Sequence, residues 1–248
     1  MKETHGAHGM RIQLGRWTEE SLDGFLKEAA ALPDVSGRID FLSGRFIGVP
    51  YQPHTLIGGP DEAEEFVINL AAVDCFTLLD YVEAMRRSGS FDAFIANLRD
   101  VRYREGEVGY ASRNHFLADW IECGRGFVRD VTRDIAAGKA VRVRKTLNRK
   151  EDGTPYLHGL PEVVRDVCFI PAGSITNEVI ERLRAGDYLG MYSNEPGLDV
   201  THVGIVIRNG GDFLRHASSA KGVRKVVDQP LGEYLSGKPG IIVIRPVA

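Results

Sequence analysis

The last third of this sequence consists of short apolar segments separated by turn residues, and this pattern restricts the folds open to the chain. An Asn-Gly-Gly turn at 209–211 joins two of the segments, as in a β-hairpin. The predicted strands cover residues 187–192, 202–207, 213–217, 223–227 and 241–245. Helical patterns are found mainly earlier in the chain. Helices followed by a run of antiparallel strands indicate an α+β fold.

The first third changes sharply from strand to helix at one position. A helix is predicted over 17–32, with Thr18 as its N-cap. Residues 66–73 alternate like a strand, and the apolar spacing after Cys75 becomes helical. A further helix is predicted over 91–98. The strand and the helix that meet at Cys75 are therefore the first local structure with chemical interest.

The middle of the chain, about 100–170, has the least regular pattern. A strand-like stretch there is predicted to expose three basic side chains to solvent: Arg142, Arg144 and Lys145. A short helix is predicted over 174–183, with Ser174 as its N-cap.

The composition is that of a soluble globular protein. With 43% hydrophobic and 26% charged residues, the 248-residue chain can bury a core without metals or disulfides. A net charge of −3 argues against a broad surface for nucleic acid or anionic membrane. No apolar run approaches the roughly 20 residues that span a bilayer. The polar segment 1–9 lacks the apolar stretch of a secretory signal, which leaves open a cytosolic protein or one whose export signal was removed.

Cys75 is the candidate nucleophile because it lies where the predicted strand gives way to a helix. A thiol in the first turn of a helix experiences the positive end of the macrodipole, which favours the reactive thiolate. The N–H groups of that turn lack intrahelical partners and could stabilise an oxyanion, while Asp74 could cap the helix. The alternative role of Cys75 is a small hydrophobic side chain between helix and sheet.

Two histidines on either side of the predicted hairpin are candidates for a base and its orienting group. His202 opens a strongly apolar strand, and His216 lies on the return strand. Opposite residues of an antiparallel pair share a face, so His216 could approach His202 unless a bulge shifts the register. Each histidine alone could be a polar residue at a strand end. Together with a thiolate they form the general pattern of an activated nucleophile.

The sequence contains no motif for a metal, a nucleotide cofactor or a serine nucleophile. Its histidines fall into no HExxH or Cys/His spacing typical of zinc, so no metal and no cofactor are expected. Three cysteines are too few for a disulfide framework. Cys123 and Cys168 are expected to be buried thiols, with a bridge between them as the open alternative.

These residues resemble the NlpC/P60 cysteine peptidase superfamily. The resemblance rests on the segments VDCFT at 73–77, THVGIVI at 201–207, RHASS at 215–219 and FIGVPY at 46–51. Other segments resemble one branch, the DUF1460 proteins described as N-acetylmuramoyl-L-alanine amidase-like: 112–120, 196–202 and 226–235. The similarity extends from about residue 38 to the C-terminus.

The resemblance implies an α+β fold with a papain-like NlpC/P60 core, N-terminal helices, an antiparallel sheet and a middle insertion. The catalytic domain would cover 38–248, with the insertion at about 100–170, after a tail and helix at 1–37. The resemblance further implies Cys75 as nucleophile, His202 as general base and acid, His216 as orienting residue and Tyr51 as a hydrogen-bond donor.

The implied activity is hydrolysis of an amide in peptidoglycan or in a soluble muropeptide, at the bond between N-acetylmuramic acid and L-alanine. A γ-D-Glu–diaminopimelate endopeptidase, a non-catalytic muropeptide-binding module and an acyltransferase are the alternatives. The candidate substrate contacts are Arg113, Asn114, His115, Asp74 and Ser218. Arginine suits carboxylates, but the first three residues could equally bridge loops. A monomer in the periplasm or cell envelope is expected.

Overall fold

Helices early in the chain and antiparallel strands later make up the fold. The computed structural model describes residues 4–6, 9–124 and 126–247. The helices are α1 Glu19–Ala30, α2 Val35–Gly44, α3 Cys75–Arg86, α4 Phe91–Arg102, α5 Leu117–Cys123, α6 Thr132–Ile135, α7 Asn177–Arg182 and α8 Leu231–Leu235. The strands are β1 Thr4–Gly6, β2 Met10–Gln13, β3 Phe66–Asn69, β4 Val128–Asp130, β5 Val141–Leu147, β6 Val163–Pro171, β7 Tyr188–Tyr192, β8 Val200–Arg208, β9 Asp212–Ala217, β10 Val226–Pro230 and β11 Gly240–Pro246. The α+β class and the antiparallel sheet are confirmed.

The chain divides into two compact units. The first unit comprises Met1–Arg113 and Arg215–Asp228, and the second unit comprises Asn114–Leu214 and Gln229–Ala248. Helices α1–α4 belong to the first unit and helices α5–α8 to the second. The first unit is therefore discontinuous in sequence.

Helix α1 of the first unit confirms the helix predicted at 17–32. The Thr18 hydroxyl accepts a hydrogen bond from the Ser21 N–H at 3.1 Å, and Ser21 in turn accepts one from the Thr18 N–H at 2.9 Å. This reciprocal capping box satisfies donors that the first turn leaves without partners. The buried residues recur at helical spacing: Leu22, Phe25, Leu26 and Ala29. Helix α2, which the sequence did not indicate, begins at an Asp34 N-cap.

A buried arginine joins the helices of the first unit to its sheet. In this sheet β2 pairs antiparallel with β1 and parallel with β3, so Thr4–Gly6 is a strand where the sequence predicted a tail. The Arg102 guanidinium donates to Asp80 at 2.9 Å and to the Val67 carbonyl at 2.5 Å. Its side chain is 1% exposed and that of Asp80 is 3% exposed. This ion pair fixes α3, which begins at Cys75, against α4 and β3.

The second unit is built on an antiparallel sheet with the strand order β8-β7-β11-β6-β5, and β4 also pairs with β11. Its core comprises apolar side chains on one face of these strands and on the helices beside them, including Leu189, Met191, Val206, Ile241 and Val243. The sequence predicted β5, β7, β8 and β11 but missed β4 and β6, which both lie in the segment regarded as irregular. It also placed the N-cap of α7 at Ser174. Thr176 is the N-cap, and Ser174 ends a 3₁₀ turn.

Lys145 corrects the prediction of a solvated basic face on β5. Arg142 and Arg144 are exposed, but Lys145 is only 5% exposed. Its ammonium group donates to three backbone carbonyls of the loop between β7 and β8: Ser193 at 2.5 Å, Glu195 at 2.7 Å and Leu198 at 2.7 Å. A buried cation requires such partners. Lys145 therefore holds a loop whose last residues lead into β8.

Candidate active site

Cys75 is the first residue of α3 and is partly exposed. Strand β3 ends at Asn69, whose side-chain carbonyl accepts hydrogen bonds from the Ala71 and Ala72 N–H groups at 3.0 and 3.2 Å. This tight turn sends the chain into the N-cap, Asp74. The predicted change from strand to helix at Cys75 is confirmed. The thiol lies at the helix end where the macrodipole favours an anion.

The Asp74 carboxylate takes up two backbone donors beside the thiol. It accepts hydrogen bonds from the Phe76 N–H at 3.0 Å and the Thr77 N–H at 2.7 Å. The Thr77 hydroxyl completes the capping box by accepting from the Asp74 N–H at 3.0 Å. The expectation that Asp74 caps the helix is confirmed. Because of that cap, the Phe76 and Thr77 N–H groups are not available to an oxyanion, and its donors must come from elsewhere.

Tyr51 provides a candidate donor close to Cys75. It forms a parallel bridge with Val73, two residues before the thiol, and its N–H donates to the Arg224 carbonyl at 2.9 Å. The Arg224 guanidinium lies 4.8 Å from the centre of the Tyr51 ring. Burial raises the pKa of Tyr51, and the negative charges of Cys75 and Asp74 raise it further. The hydroxyl therefore remains protonated at neutral pH and can donate a hydrogen bond.

His216 is buried on β9, and the residue before it anchors that strand within the first unit. The Arg215 guanidinium forms a two-bond ion pair with Asp228, at 2.8 Å for both bonds. It also donates to Asp40 at 2.9 Å and to the Ser43 hydroxyl at 2.8 Å, both on α2. The sequence did not predict this role. An arginine directly after the apolar pair Phe213-Leu214 of a predicted strand was the available signal.

The guanidinium of Arg113 is bound to a carboxylate of the protein itself. Its Nε donates to Glu64 at 2.9 Å, and a second nitrogen also bonds that carboxylate. The Tyr103 hydroxyl donates to the same group at 2.7 Å. The side chains of Arg113 and Glu64 are 13% and 3% exposed. Of the two roles left open by the sequence, this geometry favours a structural bridge for Arg113.

His202 lies on β8 of the second unit, partly buried and opposite Met191 of β7. The centre of its ring is 5.9 Å from that of Tyr234 on α8. The register between β7 and β8 shifts directly after this pair, between Met191 and Tyr192. Such bulges redirect side chains next to functional sites.

A buried carboxylate fixes the start of the strand that carries His202. Asp199 is 2% exposed and accepts hydrogen bonds from the Ala118 N–H at 2.6 Å and the Val200 N–H at 2.8 Å. The first bond caps α5 from another part of the chain. Burial raises the pKa of Asp199 to about 6, and the two hydrogen bonds oppose that rise. This role of Asp199 could not be predicted from local sequence, because its partner on α5 lies 81 positions away.

The candidate residues divide between the units. The first unit contains Cys75, Asp74, Tyr51, His216, Arg113 and Ser218. The second unit contains His202, Asn114 and His115. Ser218 is 5% exposed and its N–H donates to the Lys225 carbonyl at 3.0 Å. Asn114 is buried and His115 is partly buried.

No disulfide joins Cys123 to Cys168, and both side chains are partly exposed where buried thiols were expected. Across residues 4–6, 9–124 and 126–247, no three His, Cys, Asp or Glu side chains group as metal ligands would. None of the helices in these same ranges is both long and apolar enough to cross a bilayer.

Comparison with known proteins relates the chain to amidases. The model of the AmiA-like family, described as N-acetylmuramoyl-L-alanine amidase-like, matches residues 41–241. An N-acetylmuramoyl-L-alanine amidase from Bacteroides uniformis is similar in structure, with a TM-score of 0.70 and 30% identity over 92% of this chain and 99% of its own. A Legionella pneumophila protein of the DUF1460 family has a TM-score of 0.79 and 22% identity over 93% and 94% of the two chains. No curated protein matches the sequence.

Proposed function

The chain belongs to the N-acetylmuramoyl-L-alanine amidase-like family, and on that basis we propose that it is a cysteine amidase acting on peptidoglycan fragments. Its substrate bond is the amide between the lactyl group of N-acetylmuramic acid and L-alanine. The observation that carries the proposal is the partly exposed Cys75 at the first position of α3, with Tyr51 bridged to Val73 two residues before it. We also propose a papain-like NlpC/P60 core, because a cysteine at a helix start precedes antiparallel strands that carry histidines.

In the proposed reaction the Cys75 thiolate attacks the lactyl carbonyl carbon, and the negative charge moves to the carbonyl oxygen. Tyr51 donates a hydrogen bond to that oxygen. The C–N bond breaks as protonated His202 gives its proton to the amine of L-alanine. Water, deprotonated by His202, then attacks the thioester, the C–S bond breaks, and the thiolate returns. His216 acts as a positioning residue for the base.

The bond that is cut can be identified from the products. The full chain is incubated with defined anhydro- and reducing-end disaccharide-tetrapeptides, and the products are identified by mass. Free tetrapeptide with intact disaccharide is expected. Disaccharide-dipeptide would instead identify a γ-D-Glu–diaminopimelate endopeptidase. Binding without any product would identify a non-catalytic module.

The nucleophile is tested by comparing two cysteines at opposite ends of helices. Cys75 begins α3, whereas Cys123 ends α5, and both are partly exposed. Cys75→Ala should abolish turnover without loss of secondary structure, and Cys123→Ala should leave turnover unchanged. At neutral pH iodoacetamide should label Cys75 first, because the helix N-terminus favours the thiolate. Near-wild-type activity in Cys75→Ala would refute the assignment.

The base is tested by the pH dependence of kcat/KM. His202→Gln should lower kcat/KM by about 10²–10⁴-fold, the usual contribution of general acid–base catalysis. It should also remove the limb of the pH profile that reports the base. His216→Asn keeps a hydrogen-bonding group, so it should lower kcat less and shift the profile rather than remove the limb. An unchanged profile in His202→Gln would exclude His202 as the base.

A further inference from the structure

A cleft in the second unit lies outside the residues assigned to the reaction. Its volume is about 510 Å³, which falls within the range of roughly 300–1,000 Å³ typical of small-molecule sites. We call it the basic cleft and define it by the lining residues Arg144, Arg149, Lys150, Glu151, Tyr192 and Asn194. All of them belong to the second unit.

One side of the basic cleft is held rigidly by Lys145. This ammonium group is bound to the carbonyls of Ser193, Glu195 and Leu198, and it lies 4.5 Å from the centre of the Tyr192 ring. The Tyr192 ring also stacks on Phe169 with the planes 1° apart. Groups fixed in advance lose little conformational entropy when a ligand binds.

The lining of the basic cleft has an excess of positive charge. Arg144 is exposed and forms no ion pair with any residue that the structure describes. Lys150 lies 5.5 Å from the centre of the Tyr156 ring and forms no ion pair within the described ranges, although its charge helps to lower the pKa of the nearby, exposed Asp152. Arg149 is paired with Glu162 at 3.3 Å, and Glu151 is the acidic residue of the lining. Two cations therefore remain for a ligand.

We propose that the basic cleft binds the carboxylates of the acidic stem peptide in a peptidoglycan fragment, with Arg144 and Lys150 as the recognising cations. The identity of the peptide rests on the proposed function. The guanidinium of Arg144 can bind a carboxylate through two parallel hydrogen bonds, and Lys150 supplies a second point charge. Burial raises the pKa of Tyr192, so its hydroxyl stays protonated and can donate a third hydrogen bond.

The test compares two peptides that differ only in charge. L-Ala-γ-D-Glu-meso-diaminopimelate and the same peptide with its carboxylates converted to amides are titrated into the full chain by calorimetry. The acidic peptide should bind about tenfold or more tightly than the amide, since a hydrogen bond to a charged group is lost with each conversion. Added salt should reduce the difference, because exposed charges are screened.

Variants locate the interaction. Arg144→Gln and Lys150→Gln should each weaken binding of the acidic peptide by about tenfold and leave binding of the amide unchanged. Arg142→Gln is the matched control, because Arg142 lies on the same strand, is paired with Asp166 and does not line the cleft. Equal affinity for the two peptides, or equal weakening by Arg142→Gln, would overturn the proposal.

The outcome for the basic cleft is separable from that of the proposed function. The tripeptide lacks the muramoyl bond, so its binding does not depend on amidase activity. Charge-selective binding in a chain that cuts no muropeptide would support the cleft and refute the amidase. Amidase turnover with no preference for the acidic peptide would refute the cleft and support the amidase.

Discussion

Replacing the buried carboxylate of Asp199 should change how the stability of the second unit depends on pH. Asp199 is 2% exposed, and burial raises its pKa from 3.8 to about 6. The native state therefore holds this proton more tightly than the unfolded state. The contribution of this bound proton to the free energy of unfolding is complete below pH 3.8 and is lost as the pH rises through 6. At 1.36 kcal/mol per pKa unit, the loss is about 3 kcal/mol at neutral pH.

Asp199→Asn removes this titration but retains only one acceptor oxygen. The Ala118 and Val200 N–H groups both bond to the carboxylate, so one of them loses its partner, at a cost of about 1–3 kcal/mol. The variant should therefore be less stable than wild type at pH 4. Because only the wild type loses stability as the pH rises, the variant should gain about 2 kcal/mol relative to wild type between pH 4 and pH 7.

Urea unfolding at a series of pH values measures this difference. Trp120 is buried on α5, the helix that Asp199 caps, so its fluorescence in a Trp17→Phe background reports on the second unit. Glu181→Gln removes one negative charge from an exposed position and is the control for net charge. A constant difference between Asp199→Asn and wild type from pH 4 to pH 7 would refute the burial argument.

Three further substitutions test contacts described above. Arg102→Ala leaves Asp80 buried without its cation and should lower the free energy of unfolding by about 3–5 kcal/mol, measured by urea denaturation. Lys145→Met deprives three loop carbonyls of their donor and should cost about 3 kcal/mol or more by the same measurement, whereas the exposed neighbour Arg144→Met should cost little. Tyr51→Phe should lower kcat on a muropeptide by about 100-fold with little change in KM, as loss of an oxyanion donor does, and an unchanged kcat would exclude that role.

The sequence predicted the structure around Cys75 well because the signals there are local. A change of apolar spacing from strand to helix and an aspartate just before the helix both lie within a few residues of the thiol. The hairpin of β8 and β9 was predicted for the same reason, from an Asn-Gly-Gly turn between apolar runs. Helix α2 was missed because its capping residue, Asp34, follows directly on the end of the preceding helix.

Features set by partners distant in sequence could not be predicted from local patterns. For Arg113 the sequence left open a substrate contact or a bridge between loops, and the structure places the Glu64 carboxylate against its guanidinium. Lys145 alternates with exposed arginines along β5, yet it is buried because a loop far along the chain supplies its three acceptors. The residue that positions His202 likewise cannot be predicted from a local pattern, and the activity assays described above test the proposal of His216 for that role.

The anchoring of Arg215 has a consequence for how the protein is made. Its partners on α2 are synthesised early, whereas Arg215, Asp228 and strand β10 leave the ribosome only after Asn114–Leu214 of the second unit. The first unit lacks these ion pairs until synthesis has passed that point, and contacts so far apart in sequence form slowly. A nascent chain that stops within the second unit therefore exposes the α2 surface that Arg215 later covers, and it is the form most in need of a chaperone.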